Sequence, residues 1–410
     1  MNIKFRLTLM SFLQYAVWGA WLISLGAYLG GNLKFEGFQI GSFFATMGIA
    51  SLFMPAIMGI IADRWIPAQK VLGVCHIIAA LFLIFAAPQT NYGALYPLVL
   101  LSVMFYMPTI ALSNSVAYNA LTQEGYDTIK AFPPIRVWGT VGFICAMIAV
   151  DLLGFATTSY QFYLSAILGI LLGIYSFTLP NCTVNKNVEK KSFVDTLGLK
   201  AFTLFKQRKM AVFFIFAMML GMSLQITNAF ANDYLTNFFG KIEQYKGTFG
   251  VTHANILISL SQMSETLCIL LIPFFLRKFG IKKVMLISMF AWVLRFGLLG
   301  VGNPGAGVWM LILSMIVYGV AFDFFNISGS LFVEKETDAS IRSSAQGVFM
   351  IMTNGFGAFI GSYVAGLVVD AAGWPKAWYV FAAYSLVVAI TFMFVFKYKH
   401  DPKEIGQVAH

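Results

Sequence analysis

The sequence is poor in charged residues. Only 11% of its 410 residues are Asp, Glu, Lys or Arg, whereas 59% are hydrophobic and 16% are aromatic. Because soluble globular domains carry about 25% charged residues, this composition excludes an ordinary water-soluble domain. The chain is therefore expected to reside in a lipid bilayer.

Catalytic and redox motifs are also missing. The four cysteines are scattered without a CxxC spacing, which argues against a disulfide framework or a cysteine metal site. No HExxH, GxSxG or paired histidines are present, so an intramembrane enzyme would lack its nucleophile or its metal ligands. We interpret His76 and His253 as bystanders. We expect a protein that is not an enzyme and that holds neither a metal nor an organic cofactor.

Long apolar runs are the dominant feature that is present. A run of about 20 apolar residues spans the roughly 30 Å hydrocarbon core of a bilayer as a helix. The pattern predicts an all-α, polytopic membrane protein with twelve transmembrane helices. The predicted helices lie near 7–30, 38–62, 71–88, 94–118, 134–153, 159–179, 210–232, 251–276, 281–301, 306–330, 343–370 and 376–396.

The longest connection divides these helices six and six. It runs from Asn181 to Lys209 and is strongly basic, which is typical of a cytoplasmic loop. The predicted parts are an N-terminal six-helix bundle over 1–180, a cytoplasmic linker over 181–209, a C-terminal six-helix bundle over 210–397 and a cytoplasmic tail over 398–410.

The net charge of +10 follows the membrane and does not indicate binding to nucleic acid. Among the 27 Lys and Arg residues, those on the side predicted to be external are Lys34, Lys241, Lys246 and Lys376. Two more fall inside helices, and all others lie at predicted cytoplasmic ends and loops. This positive-inside pattern predicts that both termini are cytoplasmic. The first apolar run is too long for a cleaved signal peptide, so we expect an uncleaved first helix.

Polar stripes interrupt several of the apolar helices. Positions three or four apart share one face of a helix. The stripes are Arg136, Thr140 and Phe143; Gln225 and Asn228; Gln262 and Glu265; and Tyr318 and Phe322, with Asp323 one step round. A charged side chain facing lipid costs about 2.5–3.5 kcal/mol at the helix centre. The stripes must therefore face protein or a water-filled cavity.

One cytoplasmic loop carries a first family resemblance. The segment GIIADRWIPAQK resembles the signature loop of the major facilitator superfamily, with Asp63 and Arg64 in place and Ile66 where a glycine is expected. The segment FFLRKFGIKKVM repeats its aromatic and basic pattern half a chain later, as duplication of a six-helix unit would place it. The resemblance implies that Asp63 and Arg64 form a conformational latch. Their alternative role is that of ordinary positive-inside charges.

The whole chain resembles the bacterial nucleoside:proton symporters, a branch of that superfamily. The resemblance is carried by SFLQYAVWGAWL (11–22), FPPIRVWGT (132–140), LQITNAF (224–230), SQMSETL (261–267), VYGVAFDFFNISGSLFVEKE (317–336) and AQGVFMIMTNGFG (345–357). It implies uptake of purine or pyrimidine nucleosides by alternating access, with the proton gradient as the energy source. We expect a monomeric transporter in the bacterial inner membrane.

The binding residues of that family match the polar stripes. The resemblance implies that substrate is bound by Arg136, Thr140, Phe143, Gln225, Asn228, Gln262, Glu265, Tyr318 and Phe322. It also implies that Glu265 or Asp323 carries the proton. The side chains suit a nucleoside, because rings can stack on a base, amides can bind its edge and a carboxylate can accept hydrogen bonds from ribose hydroxyls. In the superfamily, helices 1, 4, 7 and 10 line a central cavity and helices 2, 5, 8 and 11 flank it.

Structural roles remain open for several of these residues. Arg136 could anchor its helix at the cytoplasmic interface, because long cations reach the headgroups from within a helix. The amides could join neighbouring helices, and the aromatic rings could be packing. Glu265 could be a structural partner of another group, and Asp323 could pair with Arg295.

Other classes of function also remain to be separated. A channel would favour a continuous polar ring over single-copy stripes, so the pattern argues against one. A proton-coupled carrier of another polar solute, such as a sugar, is the nearest alternative. A nutrient sensor that binds without transporting would have the same polar residues.

Overall fold

The computed structural model describes residues 2–182, 184, 199–338 and 341–398. Residues 185–198 of the predicted linker and 399–410 of the predicted tail lie outside this description. The chain divides into two compact units, Met1–Leu197 and Gly198–His410. The bundle boundaries at 180 and 210 stay predictions.

The first unit is built from long helices with polar caps. Its helices are α1 (Ile3–Gly19), α2 (Gly37–Arg64), α3 (Ala68–Ala86), α4 (Tyr92–Gln123), α5 (Thr128–Leu152) and α6 (Tyr160–Ser176). After α1 the chain continues through a short helix, Leu25–Ala27, and a π-helical turn, Tyr28–Asn32. The Asn2 and Asn91 side chains accept the first free backbone N–H groups of α1 and α4, and Glu36 forms a capping box with Gln39 at α2.

The second unit contains two helices with irregular backbone. Its helices are α7 (Arg208–Asp233), α8 (254–279), α9 (281–301), α10 (Val308–Glu336), α11 (Arg342–Met350, continued by Ile351–Gly357 and Ala358–Ala372) and α12 (Lys376–Val395). Non-helical backbone at Gly280, with φ 75° and ψ 166°, separates α8 from α9. The middle of α11 is π-helical over Ile351–Gly357.

The helices have the length and composition of membrane spans. In the described part of the chain, nine helices are long and apolar enough to cross a bilayer, and one of them is the Ala254–Val301 helix that Gly280 divides. The apolar helix Tyr160–Ser176 is shorter. Each predicted segment overlaps a helix, so the all-α, polytopic fold class is confirmed. The count of twelve crossings stays a prediction.

Two helix boundaries differ from the prediction. The first helix ends at Gly19 although the apolar run continues to residue 30, and α5 begins at Thr128, before Pro133 and Pro134. Apolar composition reports burial in lipid and not backbone conformation, which explains both differences. With a rise of 1.5 Å per residue, Arg136 lies about 12 Å along the axis from the start of α5.

An aromatic core joins three helices of the second unit. The Phe213 ring on α7 lies 4.7 Å from the Phe332 ring and 6.1 Å from the Phe325 ring of α10, centroid to centroid. The Phe349 ring on α11 lies 5.4 Å from the same Phe213 ring. At one end of these helices, Lys209 pairs with Glu336 at 2.6 Å. These contacts fix α7, α10 and α11 as one packed group.

Candidate functional site

Helices α8 and α10 approach each other closely beside the polar stripes. A Cβ atom on Gly319 would lie 2.6 Å from the backbone oxygen of Ser264, so this contact requires a residue without a side chain. The Ser264 hydroxyl donates to the backbone carbonyl of Ile316. The neighbours of these residues, Glu265 and Tyr318, are thereby brought together.

Five side chains form what we call the carboxylate cluster: Gln262, Glu265, Arg295, Tyr318 and Asp323. The Tyr318 hydroxyl is hydrogen-bonded to the Gln262 side chain and interacts electrostatically with Glu265. The carboxylates of Glu265 and Asp323 interact with each other. Four of the five residues were predicted from the sequence to bind substrate or protons, and the structure brings them together in one unit.

Arg295 has a different role from the pairing with Asp323 that the sequence left open. Its guanidinium carbon lies 4.7 Å from the Tyr318 ring centroid, and its Nη1 donates to the Ser314 carbonyl at 2.6 Å. In the described part of the second unit it forms no ion pair with Asp323, so that pairing is wrong. Asp323 is 3% exposed, and its Oδ2 atom has no hydrogen-bond partner among the described residues. This arrangement leaves a buried carboxylate without a permanent cation.

Aromatic rings flank the carboxylate cluster. The Tyr318 and Phe322 rings are stacked, with centroids 5.9 Å apart and an angle of 12° between planes. Trp292 meets the Tyr318 ring edge-on at 6.1 Å. Phe322 and Trp292 also line a pocket inside the second unit with a free volume of about 30 Å³. Asn326 and Asn354 also line this pocket, although the sequence reasoning passed over both. The signal for Asn326 was its position four residues after Phe322 on the same helix face.

The two predicted amides of α7 lie in the same unit. Gln225 is 6% exposed, and its Oε1 atom has no hydrogen-bond partner among the described residues. Asn228, one turn further along, is half-buried. Because a buried amide oxygen without a donor is costly, Gln225 is poised to accept a hydrogen bond. Neither α7 amide has a recorded hydrogen bond to the described residues of the carboxylate cluster.

In the first unit, the predicted arginine stacks on a tyrosine. The Arg136 guanidinium carbon lies 4.0 Å from the Tyr15 ring centroid, which is a cation–π contact between α5 and α1. Further along the same helix, Thr140 is half-buried and Phe143 is buried. This contact holds the Arg136 side chain against α1 within the first unit. Tyr15 was not among the predicted residues.

His76 belongs to a buried polar network of the first unit. Its ring is fully buried, and its Nε2 atom is hydrogen-bonded to Gln14 Oε1 at 2.8 Å. The Gln14 amide donates in turn to Thr109 Oγ1 at 2.7 Å. The Tyr106 hydroxyl donates to the Gln14 carbonyl at 2.8 Å. The network joins α1, α3 and α4, which gives His76 a structural role; that His76 takes no part in transport stays a prediction.

The predicted latch residues lie where α2 ends. Asp63 is exposed, Arg64 is half-buried, and neither forms an ion pair within the described residues. Their role as a latch stays a prediction. Among the described residues, no group of three or more His, Cys, Asp or Glu side chains is placed to hold a metal ion.

Comparison with known proteins places these observations in a family. A family model described as "Nucleoside H+ symporter" matches residues 1–401. Xanthosine permease of Escherichia coli (strain K12) is 51% identical over 99% of this chain and 98% of its own length. Nucleoside permease NupG of the same strain is 49% identical over 98% and 97%. A crystal structure of nucleoside transporter NupG superposes with a TM-score of 0.92 at 49% identity, covering 97% of this chain and all of that chain.

Polar and charged side chains lie inside the apolar helices, and the fold matches that of a solved nucleoside transporter. The chain is therefore a membrane transporter with the fold of the major facilitator superfamily, and not an enzyme. Within that class, the extent of both matches decides the assignment. The chain belongs to the nucleoside H+ symporter family.

Proposed function

We propose that the protein carries nucleosides into the bacterial cell together with protons. The observation that carries this proposal is the carboxylate cluster, in which two interacting carboxylates lie beside an aromatic stack in a member of the nucleoside H+ symporter family. The proton gradient across the membrane supplies the energy, and no cofactor takes part. The protein works in the inner membrane as a monomer, with both termini in the cytoplasm.

The proton is taken up by Glu265 and Asp323. Two carboxylates that interact inside an apolar bundle repel each other when both are ionised, and binding of one proton relieves that repulsion. The proton is shared by the pair rather than owned by one residue. Because Asp323 has no ion pair with Arg295, a proton can serve as its counter-charge. Binding of substrate beside the two carboxylates then depends on whether the carboxylates hold a proton.

The nucleoside is bound by side chains of the carboxylate cluster and by the Phe322 ring. Tyr318 and Phe322 present a stacked aromatic face, and Gln262 and Glu265 present an amide and a carboxylate beside it. A flat base suits the rings, and ribose hydroxyls suit the carboxylate.

The remaining predicted residues complete the assignment. Gln225 and Asn228 in the second unit, and Arg136, Thr140 and Phe143 in the first unit, contribute further substrate contacts. Asp63 and Arg64 act in the conformational cycle.

Uptake into proteoliposomes tests this function directly. The purified protein is reconstituted, a pH gradient is imposed with the interior alkaline, and radiolabelled uridine is added. We expect accumulation inside the vesicles and nucleoside-induced alkalinisation of a lightly buffered external medium. Accumulation that persists unchanged after an uncoupler collapses the gradient would contradict proton coupling, and so would a strict requirement for sodium.

Competition experiments separate the proposal from its two alternatives. Unlabelled adenosine or uridine should displace labelled uridine, whereas maltose, sucrose and free ribose should not. Displacement by sugars alone would identify a sugar carrier. Binding without counterflow, in which internal unlabelled uridine fails to drive entry of label, would identify a sensor.

A further inference from the structure

The pocket of the second unit contains polar side chains to which no role has been given. Its free volume is about 30 Å³, which is room for about two water molecules and admits the edge of a flat ring but not a whole nucleoside. Its walls come from α7, α9, α10 and α11, and most of them are apolar or aromatic. The polar side chains are those of Asn326, Thr353 and Asn354, and none of the residues lining the pocket is charged.

The two asparagines have amide groups that are available to a ligand. Asn326 is half-buried and has no side-chain hydrogen bond to another described residue. The Asn354 amide contacts only the sulfur of Met350, at 3.9 Å, which is a weak acceptor. Thr353, in contrast, donates its hydroxyl to the backbone carbonyl of Phe349 at 3.0 Å. The asparagines therefore differ from the amides that join helices elsewhere in membrane bundles.

Irregular backbone places Asn354 in this wall. It lies in the π-helical segment Ile351–Gly357, and such segments occur often at functional sites. The same segment packs on α7 at Gly221, where a Cβ atom would collide with the backbone oxygen of Thr353. The close approach of α11 to α7 fixes the depth at which Asn354 enters the pocket.

We propose that Asn326 and Asn354 form a subsite for the hydrogen-bonding edge of the nucleobase, next to the Phe322 ring. An asparagine amide offers one donor and one acceptor, which matches the adjacent N–H and C=O groups of a lactam edge such as that of uracil. Phe322 belongs both to this pocket and to the stack with Tyr318. The base therefore lies on the Asn326 side of Phe322, and the ribose lies on the side of the carboxylate cluster. This inference rests on the proposed nucleoside function.

Modified nucleosides test the subsite. Methylation of uridine at N3 blocks the lactam edge and leaves the ribose intact, whereas 2′-deoxyuridine changes only the ribose. Wild type should bind 3-methyluridine about tenfold more weakly than uridine, the effect of losing about one hydrogen bond. The double variant Asn326→Leu/Asn354→Leu should bind both with nearly equal Kd. Its ratio of Kd values for 2′-deoxyuridine and uridine should equal that of wild type.

The ratios make the experiment insensitive to partial misfolding, because both ligands are titrated in one preparation. Gln89→Ala is the matched control, since Gln89 is an amide in the other unit that bonds only to the Phe85 carbonyl. Equal binding of 3-methyluridine and uridine by wild type would overturn the subsite. A double variant that still binds uridine more tightly than 3-methyluridine would also overturn it. If wild type binds no nucleoside at all, the proposed function fails together with the subsite.

Discussion

The charged side chains of the polar stripes and Arg295 differ in the kind of partner they have. Arg136 lies over the Tyr15 ring, and Arg295 lies over the Tyr318 ring and donates to a backbone carbonyl. Neither arginine forms an ion pair within the described residues. An aromatic face stabilises each cation, and a backbone carbonyl also stabilises Arg295. The carboxylates of Glu265 and Asp323 interact with each other instead. At the residue scale, this distribution leaves the carboxylate pair available to a proton.

Substitution of Glu265 by glutamine tests the proton assignment. Glu265→Gln keeps the shape of the side chain but cannot take up and release a proton, so we expect loss of gradient-driven accumulation. Uridine counterflow, which needs no net proton movement, should persist at a reduced rate. The measurement is uptake with and without an imposed pH gradient. Glu243→Gln, at an exposed carboxylate of the same unit, should behave like wild type. Full accumulation by Glu265→Gln would assign the proton to Asp323 alone.

Arg136 distinguishes a binding role from an anchoring role. Arg136→Ala removes charge-assisted hydrogen bonding, and we expect a loss of about 1.5–3 kcal/mol, or about ten- to a hundredfold in nucleoside affinity. Arg136→Lys should not restore binding, because an ammonium lacks the planar fork of the guanidinium. Calorimetric titration of both variants, after a check of membrane expression, provides the comparison. A lysine variant that binds and transports like wild type would show that the arginine only holds the helix end.

At the scale of elements, glycine contacts determine which side chains meet. Gly319 lets α10 lie against the backbone of α8, and Gly221 does the same for α11 and α7. These helices carry the carboxylate cluster and the pocket, respectively. A small change in their separation would therefore move functional groups without removing any of them.

Two glycine substitutions in the second unit test this dependence. Gly319→Ala forces α10 away from Ser264, and overpacking of this kind typically costs about 1–3 kcal/mol. We expect a lower melting temperature and a clear loss of uridine uptake. Gly297→Ala is the matched control, because a Cβ atom at Gly297 meets nothing within 4 Å. Thermal unfolding in detergent and uptake in vesicles measure both. Equal behaviour of the two variants would show that the close contact has no functional importance.

At the scale of the whole molecule, the proton gradient limits how far nucleoside can be concentrated. One proton crossing about 100 mV supplies about 2.3 kcal/mol, and each pH unit adds about 1.4 kcal/mol. With one proton per nucleoside, we expect accumulation on the order of a hundredfold. Measuring the steady-state ratio at several imposed potentials gives the stoichiometry. A ratio that does not change with potential would contradict a symporter that moves net charge.

The orientation of the chain is a second property of the whole molecule. The positive-inside pattern places both termini in the cytoplasm. A green fluorescent protein fused after residue 410 should therefore fluoresce, and alkaline phosphatase fused at the same position should be inactive. The opposite pair of results would reverse the topology.

Much of this protein could be predicted from the sequence because the bilayer imposes a simple rule on composition. Apolar runs of spanning length predicted the all-α membrane fold, and the cost of charge in lipid singled out Arg136 and Glu265. Family motifs added the nucleoside symporter assignment, which the comparisons confirm. The sequence could not show that α5 begins at Thr128, because prolines and apolar residues alone do not set a helix start.

Tertiary structure decided which of these residues meet. Arg295 lies over Tyr318 and does not pair with Asp323, and His76 is hydrogen-bonded to Gln14. Asn354 reaches the pocket through a π-helical segment. Such contacts join residues far apart in the chain, and they depend on helix rotation and on the close approach that glycines permit. Composition and helical spacing specify which residues each face of a helix carries. Only packing determines which neighbouring helix that face contacts.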